Sequence, residues 1–275
     1  MTKRAAIKTF RSTLFYAGAA ALCIGPLFVF VWMIMTGLKT GVQNITYPPE
    51  FIFTPTLENF QAVFQQHNFF RYLMNSLIIA TLATGLSLVL GLPAAYSIAK
   101  YRQGRIGMII LLARMTPFVS YLLPWYIIFR YLKLIDTYTA LTLTHLIITL
   151  PMVAWLMVAF FESVPAELED AAMIDGCSRL KSFLIIVLPL VRNGIATSAI
   201  MAFIFSWNQF LFSLILSGPQ TKTVPVAVYN FISYGKIDWA GIGAAATLIV
   251  LPVSVFAFFV RKTIVQGLTM GALKD

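Results

Sequence analysis

Long apolar stretches without a charged side chain recur along the whole chain, and they constrain its fold more than any other feature. They are residues 12–38, 72–99, 137–161, 193–221 and 239–260. A helix needs about 20 mostly apolar residues to cross the roughly 30 Å hydrocarbon core of a bilayer. Each stretch reaches that length, so the sequence predicts at least five membrane-spanning helices.

A sixth apolar stretch, 106–129, is interrupted only by Arg114. It contains twelve Leu, Ile, Val and Phe residues. Each of these favours insertion by roughly 0.3 to 0.6 kcal/mol near a helix centre, whereas one Arg opposes it by about 2.5 to 3.5 kcal/mol. The apolar contribution is the larger one, and we predict an all-α integral membrane protein with six transmembrane helices.

The composition excludes a soluble domain. Hydrophobic residues make up 59% of the 275 residues and charged residues 11%, whereas soluble domains are about one quarter charged. The formal net charge is +10, but Lys and Arg form short clusters between the apolar stretches and no single basic face. This distribution does not indicate a nucleic-acid partner. Cys23 and Cys177 have no metal-ligand partner nearby, and a disulfide framework is not expected.

The basic residues also predict the topology. With the N-terminus in the cytoplasm, the cytoplasmic loops hold thirteen of the twenty Lys and Arg residues and the external loops hold six. By the positive-inside rule we predict that both termini are cytoplasmic. We divide the chain into 1–70, a transmembrane helix with an external loop, and 71–275, a core of five transmembrane helices. The external segment 45–60 has three prolines and predicts an irregular loop ending in a short helix near Leu57.

Acidic residues concentrate in the predicted cytoplasmic loop 163–190. Four of the ten lie within nine positions: Glu167, Glu169, Asp170 and Asp175. Ser163 and Pro165 indicate a helix start, where the helix dipole favours negative charge. Gly176 suits a left-handed helix end, and Ser178 can cap a second helix that runs to Pro189. The loop is therefore predicted to form a helix, a glycine turn and a second helix outside the bilayer.

The first of these helices has a face suited to close contact. Leu168, Ala171, Ala172 and Asp175 lie on one side of it at helical spacing, and the two alanines keep that side flat. This pattern is typical of a docking surface. On spacing alone, a solvated helix start explains the carboxylates equally well.

The run 170-DAAMIDGCSRLKSFLIIVLPL-190 resembles the cytoplasmic motif of binding-protein-dependent ABC importer permeases. That motif reads Glu-Ala-Ala, then Asp-Gly, then an apolar segment ending in Leu-Pro. Here Asp170 stands where Glu is usual, and Asn193 stands where a proline often follows. In that family the loop forms a coupling helix that sits in a cleft of the ATP-binding subunit. The resemblance implies an ATPase-docking surface that comprises Glu169, Asp170, Ala171, Ala172, Asp175 and Gly176.

Further segments resemble the carbohydrate-uptake branch of that family, in particular its second maltose-type permease subunit. They are 55-PTLENF-60, 75-NSLIIA-80, 206-SWNQFLFSLILS-217, 223-TVPVAVYNFIS-233 and 267-GLTMGALK-274. The resemblance implies a type I importer permease fold in a prokaryotic inner membrane, forming half of a pathway for a carbohydrate or polyol. It also implies a second homologous permease subunit, two copies of an ABC ATPase subunit and an extracytoplasmic solute-binding protein.

Polar residues within the apolar stretches are candidates for the solute pathway. A charge within a membrane helix suggests a functional role, and Arg114 could line the pathway. The structural alternatives are that it reaches the cytoplasmic interface or meets backbone carbonyls within the bundle. Trp207, Asn208 and Gln209 need polar partners near the membrane centre, which either subunit packing or sugar contact provides. His145 has no second metal ligand at helical spacing, which favours packing or a hydrogen bond to a neighbouring helix.

The sequence lacks nucleotide-binding and catalytic motifs, and their absence argues against several classes of function. No G-x-x-x-x-G-K-[ST] sequence occurs, so the chain lacks a P-loop for ATP, and hydrolysis is expected on a separate subunit. No convergent catalytic set is present, and the sequence predicts neither an enzyme nor a cofactor. The alternative is an ion-coupled secondary transporter. It is disfavoured because such proteins use intramembrane carboxylates, and the six apolar stretches contain no Asp or Glu.

Overall fold

The computed structural model describes residues 3–66, 68–233 and 236–272, and most of them are helical. In chain order the helices are α1 (Lys3–Leu38), α2 (Gly41–Ile45), α3 (Glu58–Gln66), α4 (Phe69–Lys100), α5 (Gly104–Met115), α6 (Val119–Tyr131), α7 (Tyr138–Glu162), α8 (Ala166–Ile174), α9 (Arg179–Ser182), α10 (Leu188–Leu190), α11 (Arg192–Trp207), α12 (Leu211–Leu216), α13 (Val224–Ala227) and α14 (Trp239–Ala272). A π-helical segment, Phe183–Val187, joins α9 to α10, and a 3₁₀ turn, Val228–Phe231, follows α13. Two short strands, β1 (Ile232–Ser233) and β2 (Lys236–Ile237), pair antiparallel. The cytoplasmic location of the two termini stays a prediction, and residues 1–2 and 273–275 lie outside the described residues.

Three of the predicted spans are confirmed as continuous apolar helices. They are Ser12–Leu38 within α1, the whole of α4 and the whole of α7. The shortest, α7, has 25 residues and extends over about 38 Å at 1.5 Å per residue. Each of the three is therefore long enough to cross the hydrocarbon core.

The prediction of one straight helix over 106–129 is wrong. The structure has two helices there, α5 and α6, which meet at an angle of 89°. Thr116, at the break, adopts an extended conformation with ψ 128°. The cause is Pro117, because a proline ring disfavours the helical conformation of the residue before it.

The predicted fifth span, 193–221, is also not one helix. It divides into α11 and α12 with a break at 208–210, and α11 is itself bent by 79° from the preceding Arg179–Leu190 segment. Among the described residues, three helices can cross a bilayer, or five if each bent pair counts as one span. The apolar segment Trp239–Val255 of α14 is shorter than these, so the count of six stays a prediction.

The chain forms two compact units. The first comprises the chain up to Phe69 together with Val228–Leu251, and the second comprises Phe70–Ala227 together with the chain from Pro252 onward. The first boundary lies beside the predicted one at 70. The segment Val228–Leu251 packs with the N-terminal part, and the division of the chain into 1–70 and 71–275 stays a prediction.

In the first unit, α1 and α14 cross at two glycines. A Cβ atom at Gly37 would lie 2.8 Å from the backbone nitrogen of Ala244, and one at Gly243 would lie 2.6 Å from the nitrogen of Gly37. Only glycine fits at these distances, as is common where membrane helices touch.

Asn59 of α3 donates hydrogen bonds to the carbonyls of Gly37 and Lys39, at 2.8 Å each. The short helix predicted near Leu57 is thereby confirmed and is tied to the end of α1.

The second unit has two apolar clusters, one at each end of α7. Met157 and Phe161 of α7 pack with Ala95 of α4, Phe183 and Val187 in the first cluster. The second cluster, at the other end of α7, consists of Ile79, Phe129, Ala140, Leu141, Ile148, Phe212 and Leu216. Burial of these side chains against one another fixes the positions of the loops at the two ends of the unit.

Candidate docking site

The predicted helix, glycine turn and helix are present at one end of the second unit. The first helix is α8, which follows Pro165 and ends at Ile174. Gly176 has a φ angle of +85°. Its N–H donates to the Met173 carbonyl at 3.1 Å, and the N–H of Cys177 donates to the Ala172 carbonyl at 2.9 Å. This hydrogen-bond pair is the Schellman arrangement, and it confirms the left-handed end predicted at Gly176.

The second helix begins as predicted but is not regular. The Ser178 hydroxyl accepts a hydrogen bond from the N–H of Lys181 at 3.3 Å and caps α9. The chain then widens into the π-helical segment before Leu188 and Pro189. A proline ring clashes with the carbonyl four residues before it, here that of Ile185. The wider turn relieves this clash, which explains the departure from one continuous helix.

The outward side of α8 mixes carboxylates with apolar side chains. After Ala166, its exposed residues are Glu167, Leu168, Asp170, Ala171 and Ile174, continued by Asp175. Their spacing places them on one side of the helix. Ile174 is 86% exposed and Leu168 is 43% exposed, so two large apolar side chains are accessible among the carboxylates. We call this set the α8 face.

Two residues of the predicted docking set point away from the α8 face. Ala172 is buried and belongs to the packing beneath the helix, and Glu169 is only 8% exposed. The carboxylate of Glu169 forms an ion pair with Lys100 and accepts a hydrogen bond from the Tyr96 hydroxyl. Both partners lie in the last turns of α4. Glu169 is therefore directed into the chain itself, whereas Asp170, Ala171 and Asp175 stay outward as predicted.

The opposite end of the second unit contains a carboxylate that the sequence analysis missed. Asp136 accepts hydrogen bonds from the backbone N–H groups of Gly218, Gln220 and Thr221 at 2.9 to 3.1 Å, and from the Thr221 hydroxyl at 2.7 Å. Burial raises the pKa of Asp136, but these hydrogen bonds outweigh it and hold the pKa below its usual value. Asn75 of α4 adds hydrogen bonds to the carbonyls of Gln220 and Lys222, at 2.9 Å each. The loop 218–222 is therefore fixed from two sides.

Both sets of contacts join loops that we predicted to lie on the same side of the membrane. The contact of Lys100 with Glu169 joins 100–105 to 162–192 at one end of the unit. The contacts of Asp136 and Asn75 join 130–136 to 218–222 at the other end. The side of the membrane that each end faces stays a prediction.

Arg114 lies at the end of α5, two residues before the break at Thr116, and its side chain is exposed. The last turn of a helix suits a cation because of the helix dipole. The sequence analysis placed Arg114 within one membrane helix over 106–129, and the 89° bend between α5 and α6 removes the basis for that placement. Exposure leaves Arg114 accessible to a solute or to a lipid headgroup.

The remaining three candidates for the solute pathway differ in exposure. Trp207 is 2% exposed and stacks on Phe203, so its ring faces are not presented to a solute in this conformation. The Gln209 side chain accepts a hydrogen bond from the N–H of Leu211 at the start of α12. Asn208 is exposed and donates to the Ile204 carbonyl at 2.9 Å. The contacts of Asn208 and Gln209 stabilise the break between α11 and α12. The polar partner expected for Trp207 is not found among the described residues, because its Nε1 is buried without a hydrogen bond.

A buried polar layer lies between the two apolar clusters. Nδ1 of His145 is 2.7 Å from the Ser206 hydroxyl of α11, and Nε2 is 3.5 Å from the Ser213 hydroxyl of α12. One turn further along α7, Thr149 contacts Ser87 of α4 at 2.6 Å. The prediction that His145 forms a hydrogen bond to a neighbouring helix is confirmed. In residues 3–66, 68–233 and 236–272, no group of three or more His, Cys, Asp and Glu side chains could hold a metal ion.

Tyr96 and Lys100 were also missed by the sequence analysis. They lie one helical turn apart on α4, and Lys100 Nζ is 3.0 Å from the Tyr96 hydroxyl oxygen. The sequence signal was a basic residue at the end of a predicted span. That signal indicates topology but does not identify a partner at position 169.

Comparison with known proteins gives consistent matches over most of the chain. Residues 87–270 match the family model of the binding-protein-dependent transport system inner membrane component. The probable ABC transporter permease protein y4oR of Sinorhizobium fredii is 38% identical, with 97% of each chain covered. The sulfoquinovosyl glycerol transport system permease protein SmoH of Agrobacterium fabrum is 35% identical, over 94% of this chain and 93% of that protein. The trehalose/maltose transport system permease protein MalG of Thermococcus litoralis is 34% identical, over 94% and 95%.

A solved structure shares the fold. It is a chain from a bacterial ABC transporter involved in the import of the acidic polysaccharide alginate. The TM-score is 0.76 at 20% identity, with 95% of this chain and 98% of that chain covered. The fold of this chain is therefore that of the solved one, with the broken helices described above.

Proposed function

Because the chain belongs to the family of binding-protein-dependent transport system inner membrane components, we propose that it is one permease subunit of an ATP-driven ABC importer. It forms half of the translocation pathway. A second homologous permease subunit forms the other half, and an extracytoplasmic solute-binding protein delivers the solute. Two copies of a separate ATPase subunit hydrolyse ATP.

The observation that supports this proposal most strongly is the α8 face beside the Gly176 turn. Asp170, Ala171 and Asp175 are exposed there together with Leu168 and Ile174. An apolar side chain as exposed as Ile174 on a loop outside the membrane fits a surface covered by a partner. The face lies within the part of the chain that matches the family model. We assign the ATPase subunit as that partner.

The proposed topology has six transmembrane helices and both termini in the cytoplasm of a prokaryotic cell. The α8 face then points into the cytoplasm, where ATP is available, and the loop 218–222 points outward. Closure of the two ATPase copies draws the α8 faces of the two permease subunits together. The bundle consequently reorients, and the solute passes inward.

The proposed solute is a carbohydrate or polyol. Two of the relatives named above are permeases for sulfoquinovosyl glycerol and for trehalose and maltose. Arg114 and Asn208 are the proposed contacts of this subunit with the solute, because both side chains are exposed. Gln209 serves the pathway indirectly, by stabilising the break at which Asn208 lies, and Trp207 does so by packing on Phe203 at the end of α11.

Uptake assays test this proposal against the ion-coupled alternative. Proteoliposomes containing the purified complex are supplied with a sugar-loaded binding protein, with ATP inside or outside, and with an ionophore. We expect uptake that requires ATP on the α8 side and is unaffected by collapse of proton and sodium gradients. Uptake that needs a gradient and no ATP would show that the protein is a secondary transporter.

A further inference from the structure

Glu169 differs from the other carboxylates of α8. Glu167 and Asp170 are exposed, whereas Glu169 is buried beneath the helix. Its carboxylate contacts the Lys100 ammonium and the Tyr96 hydroxyl, and these two groups also contact each other at 3.0 Å. We call this cluster of three residues the Glu169 strut. It joins α8 directly to the last turns of α4.

The burial of the strut determines its strength. An exposed ion pair contributes little, because water screens it. A fully buried pair is different, because separating it leaves an uncompensated charge. This pair lies between the two cases, because the side chains of Glu169 and Lys100 are 10% and 23% exposed. Separating it leaves the Glu169 carboxylate without its partner in a poorly solvated place. A displacement of α8 that left α4 behind would have to break this pair. The end of α4 therefore moves with α8.

Other contacts tie the same elements together. Arg179 of α9 donates a hydrogen bond to the hydroxyl of Tyr101, directly after α4, at 2.5 Å. The Tyr96 ring lies 4.8 Å from the Phe183 ring and 5.7 Å from the Phe161 ring, centroid to centroid. Both helices of the loop are thus attached to one end of α4, and the ring contacts add the end of α7.

The helix α4 connects this end of the unit to the opposite one. It is continuous over 32 residues, which corresponds to about 48 Å. Near its start, Asn75 holds the loop 218–222, and the Ser76 hydroxyl accepts a hydrogen bond from the N–H of Val224 at 2.8 Å. A movement imposed at Lys100 therefore reaches a loop at the far end without crossing a helix break.

We propose that the Glu169 strut transmits the movement of α8 to α4, so that Glu169 and Lys100 are positioning residues for transport and make no contact with the ATPase. The inference rests on the proposed function, because it takes the ATPase as the source of the movement. The inference assigns the coupling of ATP hydrolysis to sugar transport to an ion pair inside this chain. This pair is separate from the α8 face.

The test uses the assembled complex with Glu169→Gln, Lys100→Met and the exchanged pair Lys100→Glu with Glu169→Lys. The control is Glu162→Gln, which alters an exposed carboxylate outside α8. Four quantities are measured for each variant: membrane abundance, co-purified ATPase, ATP hydrolysis and sugar uptake. The number of sugar molecules imported per ATP hydrolysed distinguishes a coupling role from a merely structural one.

We expect each single variant to keep its abundance, its ATPase subunit and its ATP hydrolysis, and to lower the sugar imported per ATP by about tenfold, which corresponds to about 1.4 kcal/mol. The exchanged pair should restore part of this loss, and the control should match wild type. An unchanged ratio overturns the inference. Loss of abundance or of co-purified ATPase also overturns it, because the pair would then hold only the fold or the docking surface. If wild-type uptake needs no ATP, the proposed function itself fails.

Discussion

Replacing Gly176 by valine tests the backbone of the docking turn separately from its packing. A Cβ atom at Gly176 would meet nothing within 4 Å, so the substitution introduces no clash. Its effect comes from the φ angle of +85°. The left-handed region costs an ordinary L-residue about 1 to 2 kcal/mol, and a β-branched residue is a more extreme outlier there.

This strain lowers the population of the correctly closed turn by at least roughly 5- to 30-fold, at 1.4 kcal/mol for each factor of ten. Opening the turn tilts α9 away from α8 and distorts the α8 face. We therefore expect Gly176→Val to keep normal membrane abundance, to recover less ATPase in pull-downs and to abolish sugar uptake. Gly176→Asn should lie close to wild type, because asparagine tolerates the left-handed region.

Gly104→Val is the matched control. Its Cβ would also meet open space, and its φ angle is not in the left-handed region. The same side chain is thus added at the start of α5 without backbone strain. If Gly176→Val retains full uptake, or loses no more than Gly104→Val, the assignment of the docking turn is wrong.

Three further predictions concern topology and the two polar sites. An impermeant thiol reagent should label Cys177 in inside-out vesicles but not in intact cells, and the reverse result would invert the topology. Because hydrogen bonds lower the folded-state pKa of Asp136, its contribution to stability should be complete above the unfolded pKa of about 4 and should be lost as the pH falls through the lower folded value. In Asp136→Asn the thermal unfolding midpoint should fall less as the pH is lowered. An unchanged dependence of the midpoint on pH would refute the stabilising role of the Asp136 carboxylate. His145→Leu should destabilise the complex by about 0.6 to 2 kcal/mol and more than His145→Gln, since leucine cannot bond to Ser206; equal midpoints would contradict this.

The local features of the docking loop were predictable from the sequence because neighbouring residues determine them. Gly176 follows a helix-compatible run and precedes a serine that can cap, and both roles depend only on residues a few positions away. The pairing of Glu169 with Lys100 was not predictable in the same way. The two residues are 69 positions apart, and their contact depends on how α8 packs against α4.

The helix breaks show a different limit. Proline lies within α1, α4, α7 and α14, and these helices continue through it, yet the chain breaks at Pro117. Neighbouring helices can satisfy the backbone groups that a proline leaves free. The helix α1, however, continues through Pro26 although its apolar span is not buried within this chain. The presence of a proline alone therefore does not predict where a membrane helix breaks.

Photo-crosslinking from the α8 face is the most direct test of the central claim. A photoreactive amino acid replaces Ala171, which is exposed on the α8 face, and in a second variant it replaces Tyr131, which is 88% exposed in the loop predicted to be external. Irradiation of intact membranes should join position 171 to a P-loop ATPase subunit, identified by mass spectrometry, and should give no such product from position 131. If position 171 gives no ATPase adduct in complexes that still import sugar, the α8 face is not the ATPase-docking site.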